Sequence, residues 1–324
     1  MTEIKPSSDE DQRKSLVFLK TCDLTTVTTD TLNENLKTLL TGQKINVLMY
    51  DPGLVLYRSI PFEKKPENYK DLIYPPTDKA KLNRASEENE QMFYCSNIKK
   101  APFYELYVQV GDRLVLSTWS LKKKSVFNNI GYTKKNLETF EAERKFSTVD
   151  VEENFIANEL GEIFCRAVST DELYYYKLTN AIAKKFLFAE VITRNYNITP
   201  LFDKSEGSTK YEADFNIPQQ FPGIVYPTIH NERIGDNFAI KKEAIDDGIL
   251  ELHQIEYIEI VDIKENRYKY KIIDFASEVI DSRINWLNIN QNWHVFDDTD
   301  EINICCEDGI FEAFTSDGDL IAPI

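Results

Sequence analysis

The sequence predicts an α+β protein in which a central sheet is flanked by helices at 151–188 and followed by a β-rich C-terminal part. Apolar, β-branched runs bounded by turn residues recur from residue 44 onward. Apolar residues at helical spacing dominate 151–188. Long alternating stretches begin near residue 250. We therefore expect a tail and short helix at 1–43, a main domain at 44–263 and a β-rich extension at 264–324.

The N-terminal segment divides into a polar part and a helical part. Residues 1 to about 14 combine charge with no periodic apolar positions, so we expect a frayed tail there. The next segment has leucines at helical spacing and a glycine where a helix would end, which predicts a short helix. These residues are Leu32, Leu36, Leu39, Leu40 and Gly42.

Strands and one long loop follow. The stretch between Ser59 and Asn83 is rich in Pro, Lys and Asp, and its two consecutive prolines exclude a helix, so we expect a loop. A short helix should follow Lys100, with Pro102 near its first turn. Apolar or alternating runs predict strands at 44–50, 54–58, 92–96 and 113–121.

The second half of the main domain predicts two helices and a pair of strands. An amphipathic helix is expected within 151–168, and a second should begin after the capping box at 169–172 and run through Phe188. The polar run 199–210 is predicted to be a loop. Two strands should meet at an exposed turn near 230–236, and two Asp-Gly turns should punctuate the C-terminal extension.

Composition excludes several classes of protein. The net charge of −16 repels phosphate backbones and argues against a nucleic-acid partner. Nowhere do eighteen apolar residues run together and the amino end lacks a secretory pattern, so we expect a cytoplasmic protein that does not span a membrane. The five cysteines lack CxxC spacing and the three histidines are scattered, so neither a disulfide framework nor a metal site is expected.

Two arginines and one glutamate have residue types that suit dinucleotide chemistry. A guanidinium binds pyrophosphate in a forked geometry, which Arg58 and Arg84 could provide; surface ion pairs are the other interpretation. Cleavage of an N-glycosidic bond builds positive charge on the ribose, which a carboxylate such as Glu105 would stabilise. A solvated glutamate on a helix is the alternative for Glu105.

Two hydroxyl-bearing residues are further candidates. Tyr94, on a predicted strand, could stack on nicotinamide or hold a ribose hydroxyl, or it could be a half-buried strand aromatic. Thr228 follows Pro227 and could offer its hydroxyl to the sugar, although threonines in turns more often cap the backbone.

The order of these residues resembles that of a known family. Between Leu56 and Glu105 the chain reads LYRSIP, then IYPP, LNRAS and MFYCSNIKKAPFYE. Two later blocks, ELYYYKLTNAIAKKFL and GIVYPTIHNERIGDNFAI, extend the likeness over roughly 50–262. The pattern is similar to the RES domain family, named for its Arg, Glu and Ser residues, whose members include NAD-consuming toxins of bacterial toxin–antitoxin pairs.

The resemblance implies a fold akin to ADP-ribosyltransferases, in which the central sheet is split around an NAD cleft. NAD would be the substrate, Arg58, Arg84 and Asn237 would bind it, and Glu105, Tyr94 and Thr228 would be catalytic; no metal is implied. The sequence departs from the family at Thr228, where the family has serine, and the added methyl group could crowd the sugar.

The leading functional hypothesis is therefore an enzyme that cleaves the nicotinamide–ribose bond of NAD by hydrolysis or phosphorolysis. Two alternatives stay open: an ADP-ribosyltransferase acting on a protein target, and a nucleotide-binding module that the change to threonine has silenced. Implied partners are a cognate antitoxin or a protein acceptor, and the sequence does not predict an oligomeric state.

Overall fold

The computed structural model of the 324-residue chain describes most of the expected main domain and part of the extension. It describes residues 7–43, 47–132, 154–189, 221–229, 235–264, 267–289, 294–297, 302–307, 310–315 and 320–323. The chain forms two compact units, each assembled from separate segments. The first unit contains Met1–Pro52, Pro75–Tyr94 and Lys123–Ile249, and the second contains Gly53–Tyr74, Cys95–Lys122 and Leu250–Ile324.

Six α-helices lie in the described part of the chain. They are α1 Asp9–Thr21, α2 Thr29–Leu40, α3 Ala101–Glu105, α4 Phe155–Phe164, α5 Tyr176–Leu187 and α6 Lys242–Asp246. Of these six described helices, α3 alone belongs to the second unit.

The described residues also form fifteen strands. The first seven are β1 Val47–Tyr50, β2 Val55–Pro61, β3 Met92–Ser96, β4 Arg113–Leu121, β5 Ser125–Asn129, β6 Gly223–Pro227 and β7 Asp236–Lys241. The next five are β8 Leu250–Lys264, β9 Arg267–Ala276, β10 Val279–Ile280, β11 Arg283–Ile284 and β12 His294–Asp297. The last three, which form a small antiparallel sheet, are β13 Ile302–Glu307, β14 Ile310–Thr315 and β15 Leu320–Pro323.

The first unit has a mixed sheet with strand order β1-β5-β6-β7-β3. Strands β5 and β6 are parallel, whereas β6 and β7 form an antiparallel pair in which Tyr226 lies opposite Asn237. Gly223 is required in this pair, because a Cβ atom there would come within 2.3 Å of the Ala239 carbonyl oxygen. Helices α4 and α5 bury Leu160, Phe164 and Ile182 in the core of this unit, as their apolar spacing predicts.

Helix α1 corrects the prediction of a frayed tail at residues 1 to about 14. The helix begins at Asp9, where Ser8 accepts a hydrogen bond from the Asp11 amide at 3.2 Å. Three acidic residues in the first turn complement the helix dipole. Leu16 and Leu19 lie in the core, so burial of one narrow apolar face offsets the polarity of the segment.

The second unit has an antiparallel sheet with strand order β2-β4-β8-β9-β12. Helix α3 packs on one face of this sheet, where Phe103 is fully buried with Leu116, Ile258 and Tyr270. Strands β9 and β12 continue this sheet beyond β8.

Other sequence predictions have mixed outcomes. The α+β class, the predicted helix ending near Gly42, and the strands at 92–96 and 113–121 are confirmed. Strand β5 and helix α6 were not predicted, and β2 extends three residues beyond Arg58. The predicted loop at 199–210 and the Asp-Gly turns at 308–309 and 317–318 lie outside the described residues.

Candidate functional site

Arg84 is a buried residue of the first unit whose side chain is 5% exposed. Its Nη2 atom donates a hydrogen bond to the Arg166 carbonyl oxygen at 3.1 Å, and its Nη1 atom donates to the Phe164 carbonyl oxygen. These carbonyls lie at and just beyond the C-terminal end of α4, where a cation is favoured by the helix dipole. The guanidinium also lies 5.7 Å from the Phe164 ring centroid and 5.6 Å from that of Tyr176. Arg84 therefore joins the end of α4 to the start of α5.

Tyr94 is held by the two residues that follow Arg84 in the chain. The Ala85 amide donates a hydrogen bond to the Tyr94 hydroxyl at 3.2 Å, and the Ser86 hydroxyl lies 2.9 Å from the same oxygen. Burial raises the pKa of Tyr94 well above its usual value, and the two hydrogen bonds oppose this only in part. The phenol is therefore neutral at physiological pH. The sequence analysis did not predict Ser86, which is 2% exposed; its place two residues after Arg84 is the one signal for it.

Thr228 directly follows β6 and Asn237 lies on β7, at one end of the β6–β7 pair. Thr228 is 1% exposed, and its Oγ1 atom accepts a hydrogen bond from the Gly235 amide at 3.1 Å. The Thr228 amide in turn donates to the Gly235 carbonyl at 2.8 Å. The hydroxyl thus caps the backbone, which is the alternative that the sequence left open. Asn237 is also buried.

Asp236 is a buried carboxylate that the sequence analysis did not predict. It is 4% exposed, and its Oδ1 atom accepts a hydrogen bond from the Tyr132 hydroxyl at 2.5 Å. The Tyr50 hydroxyl donates to Oδ2 at 3.4 Å. A buried carboxylate requires such donors to offset its lost hydration. Its position directly before Asn237 could have suggested it.

Arg58 belongs to the second unit and lies near the middle of β2. Its Nε atom donates a hydrogen bond to the Leu72 carbonyl oxygen at 3.2 Å, and the side chain is half-buried. The preceding residue, Tyr57, packs against the core under α3. Because successive side chains of a strand point to opposite faces, Arg58 points away from the face that α3 covers.

Glu105 is the last residue of α3 and its side chain is exposed. Pro102 lies in the first turn of the helix, as predicted, and the neighbouring Phe103 anchors it to the sheet. The second unit therefore places Glu105 on a helix over one face of its sheet while Arg58 points to the other face. Tyr94 and Arg84, by contrast, share one cluster of the first unit.

A second carboxylate of the second unit, Glu256, is 1% exposed. Its Oε1 atom accepts a hydrogen bond from Gln254 Nε2 at 2.7 Å and lies 3.6 Å from Lys99 Nζ. Its Oε2 atom has no hydrogen-bond partner among the described residues. The alternating pattern of β8 marked this residue only as one of several acidic positions, so its burial was not predictable.

The described residues contain no cluster of three or more His, Cys, Asp or Glu side chains arranged to hold a metal ion. Within the same residues, every helix is too short or too polar to cross a membrane.

Comparisons with known proteins give little support for an assignment. No family model matches the chain, and no curated protein matches it. A similar solved structure is the crystal structure of the M. tuberculosis MbcT–MbcA toxin–antitoxin complex, with a TM-score of 0.32 and 9% sequence identity. The match covers 65% of this chain and 87% of that chain. A likeness this low supports no conclusion about activity.

Proposed function

We propose that the protein is an NAD-consuming enzyme that cleaves the nicotinamide–ribose bond, with water, phosphate or a protein side chain as acceptor. The proposal rests on the order of the sequence motifs and on one observation in the first unit. The Tyr94 hydroxyl is hydrogen-bonded to Ala85 and Ser86, directly after Arg84. Two separate motifs that carry the resemblance, LNRAS and MFYCS, therefore meet in one cluster.

Each candidate residue has a distinct role in the proposal. Arg58 binds the pyrophosphate, and Glu105 stabilises the positive charge that develops on the ribose as nicotinamide leaves. Tyr94, as a neutral phenol, donates or accepts a hydrogen bond at the sugar or stacks on nicotinamide. Thr228 and Asn237 contribute polar groups to the ribose, and for Thr228 this contact would share the hydroxyl with Gly235.

Arg84 has two roles in the proposal. Its hydrogen bonds to the Phe164 and Arg166 carbonyls hold the following backbone, and thereby Ser86, against Tyr94. A guanidinium has five N–H donors, so a contact with pyrophosphate would use donors other than these two. The proposed partners of such an enzyme are a protein substrate or a cognate antitoxin.

The purified protein is expected to release nicotinamide from NAD. Chromatographic separation of nicotinamide, NAD and ADP-ribose after incubation measures the reaction. Parallel incubations with inorganic phosphate and with cell extract distinguish phosphate and protein acceptors from water. No release under any of the three conditions would contradict the proposal.

One observation favours a second candidate, a nucleotide-binding module without activity. The Thr228 hydroxyl already accepts a hydrogen bond from the Gly235 amide. This bond competes with the contact to the sugar that the serine makes in the family. Binding of NAD without release of nicotinamide would support this candidate.

Replacement of Arg58 with Lys is expected to weaken NAD binding by about tenfold to a hundredfold, because lysine cannot form a forked contact with pyrophosphate. Calorimetric titration of the purified variant measures this change. Arg113→Lys is a matched control, since Arg113 lies in the same unit and its Nε atom pairs with Glu259 at 3.0 Å. Equal affinity in wild type, Arg58→Lys and Arg113→Lys would remove Arg58 from the site.

A further inference from the structure

Lys241, the last residue of β7, is a buried lysine with no assigned role. Its side chain is 9% exposed, and its Nζ atom has no hydrogen-bond partner among the described residues. The Phe188 ring lies beside this amine, with its centroid 4.5 Å from Nζ. A buried ammonium without an acceptor is costly, whereas a neutral amine in the same place costs much less.

The charged groups around Lys241 act on its pKa in opposite directions, with Glu243 the stronger of the two, and burial is what lowers the pKa overall. Burial is the largest cause that lowers the pKa of Lys241, and Lys184 on α5 lowers it further. Glu243 on α6 opposes these effects and raises it. Lys184 forms an ion pair with Glu90, and its Nζ atom lies 5.6 Å from the same Phe188 ring centroid. Lysines that are desolvated beside a second cation are a recognised source of nucleophilic amines.

We propose that the Lys241 amine is a covalent binding site for a small carbonyl compound of the aldehyde class. The nitrogen lone pair forms a bond to the carbonyl carbon while the carbonyl π bond breaks, and proton transfer gives a neutral carbinolamine. Loss of one water molecule then gives the imine, so amine plus aldehyde yields imine plus water. Phe188 covers the amine and is itself 55% exposed, so rotation of this ring opens the way to Nζ.

This site does not depend on the proposed reaction with NAD. No residue of the Lys241 cluster, which consists of Lys241, Lys184, Phe188, Glu90 and Glu243, belongs to the candidate NAD site. The cluster lies wholly in the first unit.

Acetaldehyde and sodium cyanoborohydride test the proposal in the folded protein. Cyanoborohydride supplies hydride to the imine, a solvent proton completes the ethylated amine, and peptide mass spectrometry measures labelling at each lysine between pH 6 and 10. Lys242, whose ammonium pairs with Asp246, is the neighbouring reference. Each unit by which a pKa is lowered raises the neutral fraction about tenfold at neutral pH. We therefore expect Lys241 to be labelled faster than Lys242 at pH 7, with its labelling midpoint at lower pH.

Variants test separately how nucleophilic the Lys241 amine is and how accessible it is to the aldehyde. Phe188→Ala should increase labelling of Lys241, because it removes the covering ring. Lys184→Met should move the labelling midpoint of Lys241 to higher pH, whereas Lys185→Met, the control on the same helix, should not. Labelling of Lys241 no faster than Lys242 at pH 7, in both the wild type and Phe188→Ala, would overturn the proposal.

The stability of Lys241→Met supplies an independent readout. The pKa of Lys241 is lower in the folded than in the unfolded protein, so the folded state disfavours the charged form. The resulting loss of folding stability is at its maximum when the pH is below the folded pKa. The penalty disappears as pH rises from the folded pKa to about 10.4, the ordinary lysine value. Lys241→Met should therefore raise the melting temperature at pH 7, and the difference from wild type should shrink towards pH 10. A difference that does not change with pH would contradict the neutral-amine assignment.

Discussion

Glu105→Gln is expected to lower the rate of nicotinamide release from NAD by about a hundredfold to a thousandfold while NAD binding persists. The amide keeps the shape of the side chain but lacks the negative charge that stabilises a developing ribosyl cation. The exposed position of Glu105 at the end of α3 means that the substitution should leave the melting temperature nearly unchanged. Chromatography of nicotinamide and calorimetric titration with NAD measure the two effects separately.

Glu251→Gln provides a matched control for this loss. Glu251 is an exposed glutamate of β8 in the same unit, so the variant has the same change in net charge. Its turnover should equal that of the wild type. Retained activity in Glu105→Gln would keep the enzyme and assign the catalytic carboxylate to another residue, for which the buried Asp236 and Glu256 are the first candidates to test.

Arg84→Lys is expected to destabilise the first unit by about 3 kcal/mol, because charged hydrogen bonds of this kind contribute about 1.5–3 kcal/mol each. A lysine has no forked geometry with which to reach the Phe164 and Arg166 carbonyls together. A calorimetric melting scan measures the loss. The sequence alone indicated a pyrophosphate contact or a surface ion pair at Arg84, and neither interpretation predicts a loss of this size.

Arg113→Lys is again the matched control, because an exposed ion pair contributes only about 0–1 kcal/mol. If the role of Arg84 is structural, Arg84→Lys lowers the melting temperature and changes NAD binding only through the Ser86–Tyr94 contact. An unchanged melting temperature combined with lost NAD binding would show that Arg84 is a ligand residue and that the two carbonyl contacts contribute little.

Local patterns predicted the elements whose apolar spacing is regular. Helix α2 buries Leu32, Leu36 and Leu39, as their spacing indicates, and β4 alternates between two faces of the sheet. Helix α1 was missed because its sequence is mostly polar and few of its side chains, chiefly Leu16 and Leu19 with Phe18 beside them, pack in the core. Strand β5 is short and follows a run of three lysines, so its pairing with β1 and β6 was not visible locally.

The sequence by itself determined the α+β class, the order of the arginine, tyrosine and glutamate motifs, and the candidate chemistry that this order implies. Only the tertiary structure decided which polar groups are already occupied. Arg84 binds carbonyls of Phe164 and Arg166, some eighty residues away, and Thr228 caps the backbone at Gly235. The physical reason is that burial and hydrogen bonding depend on long-range packing, whereas periodicity records only which face of an element is apolar.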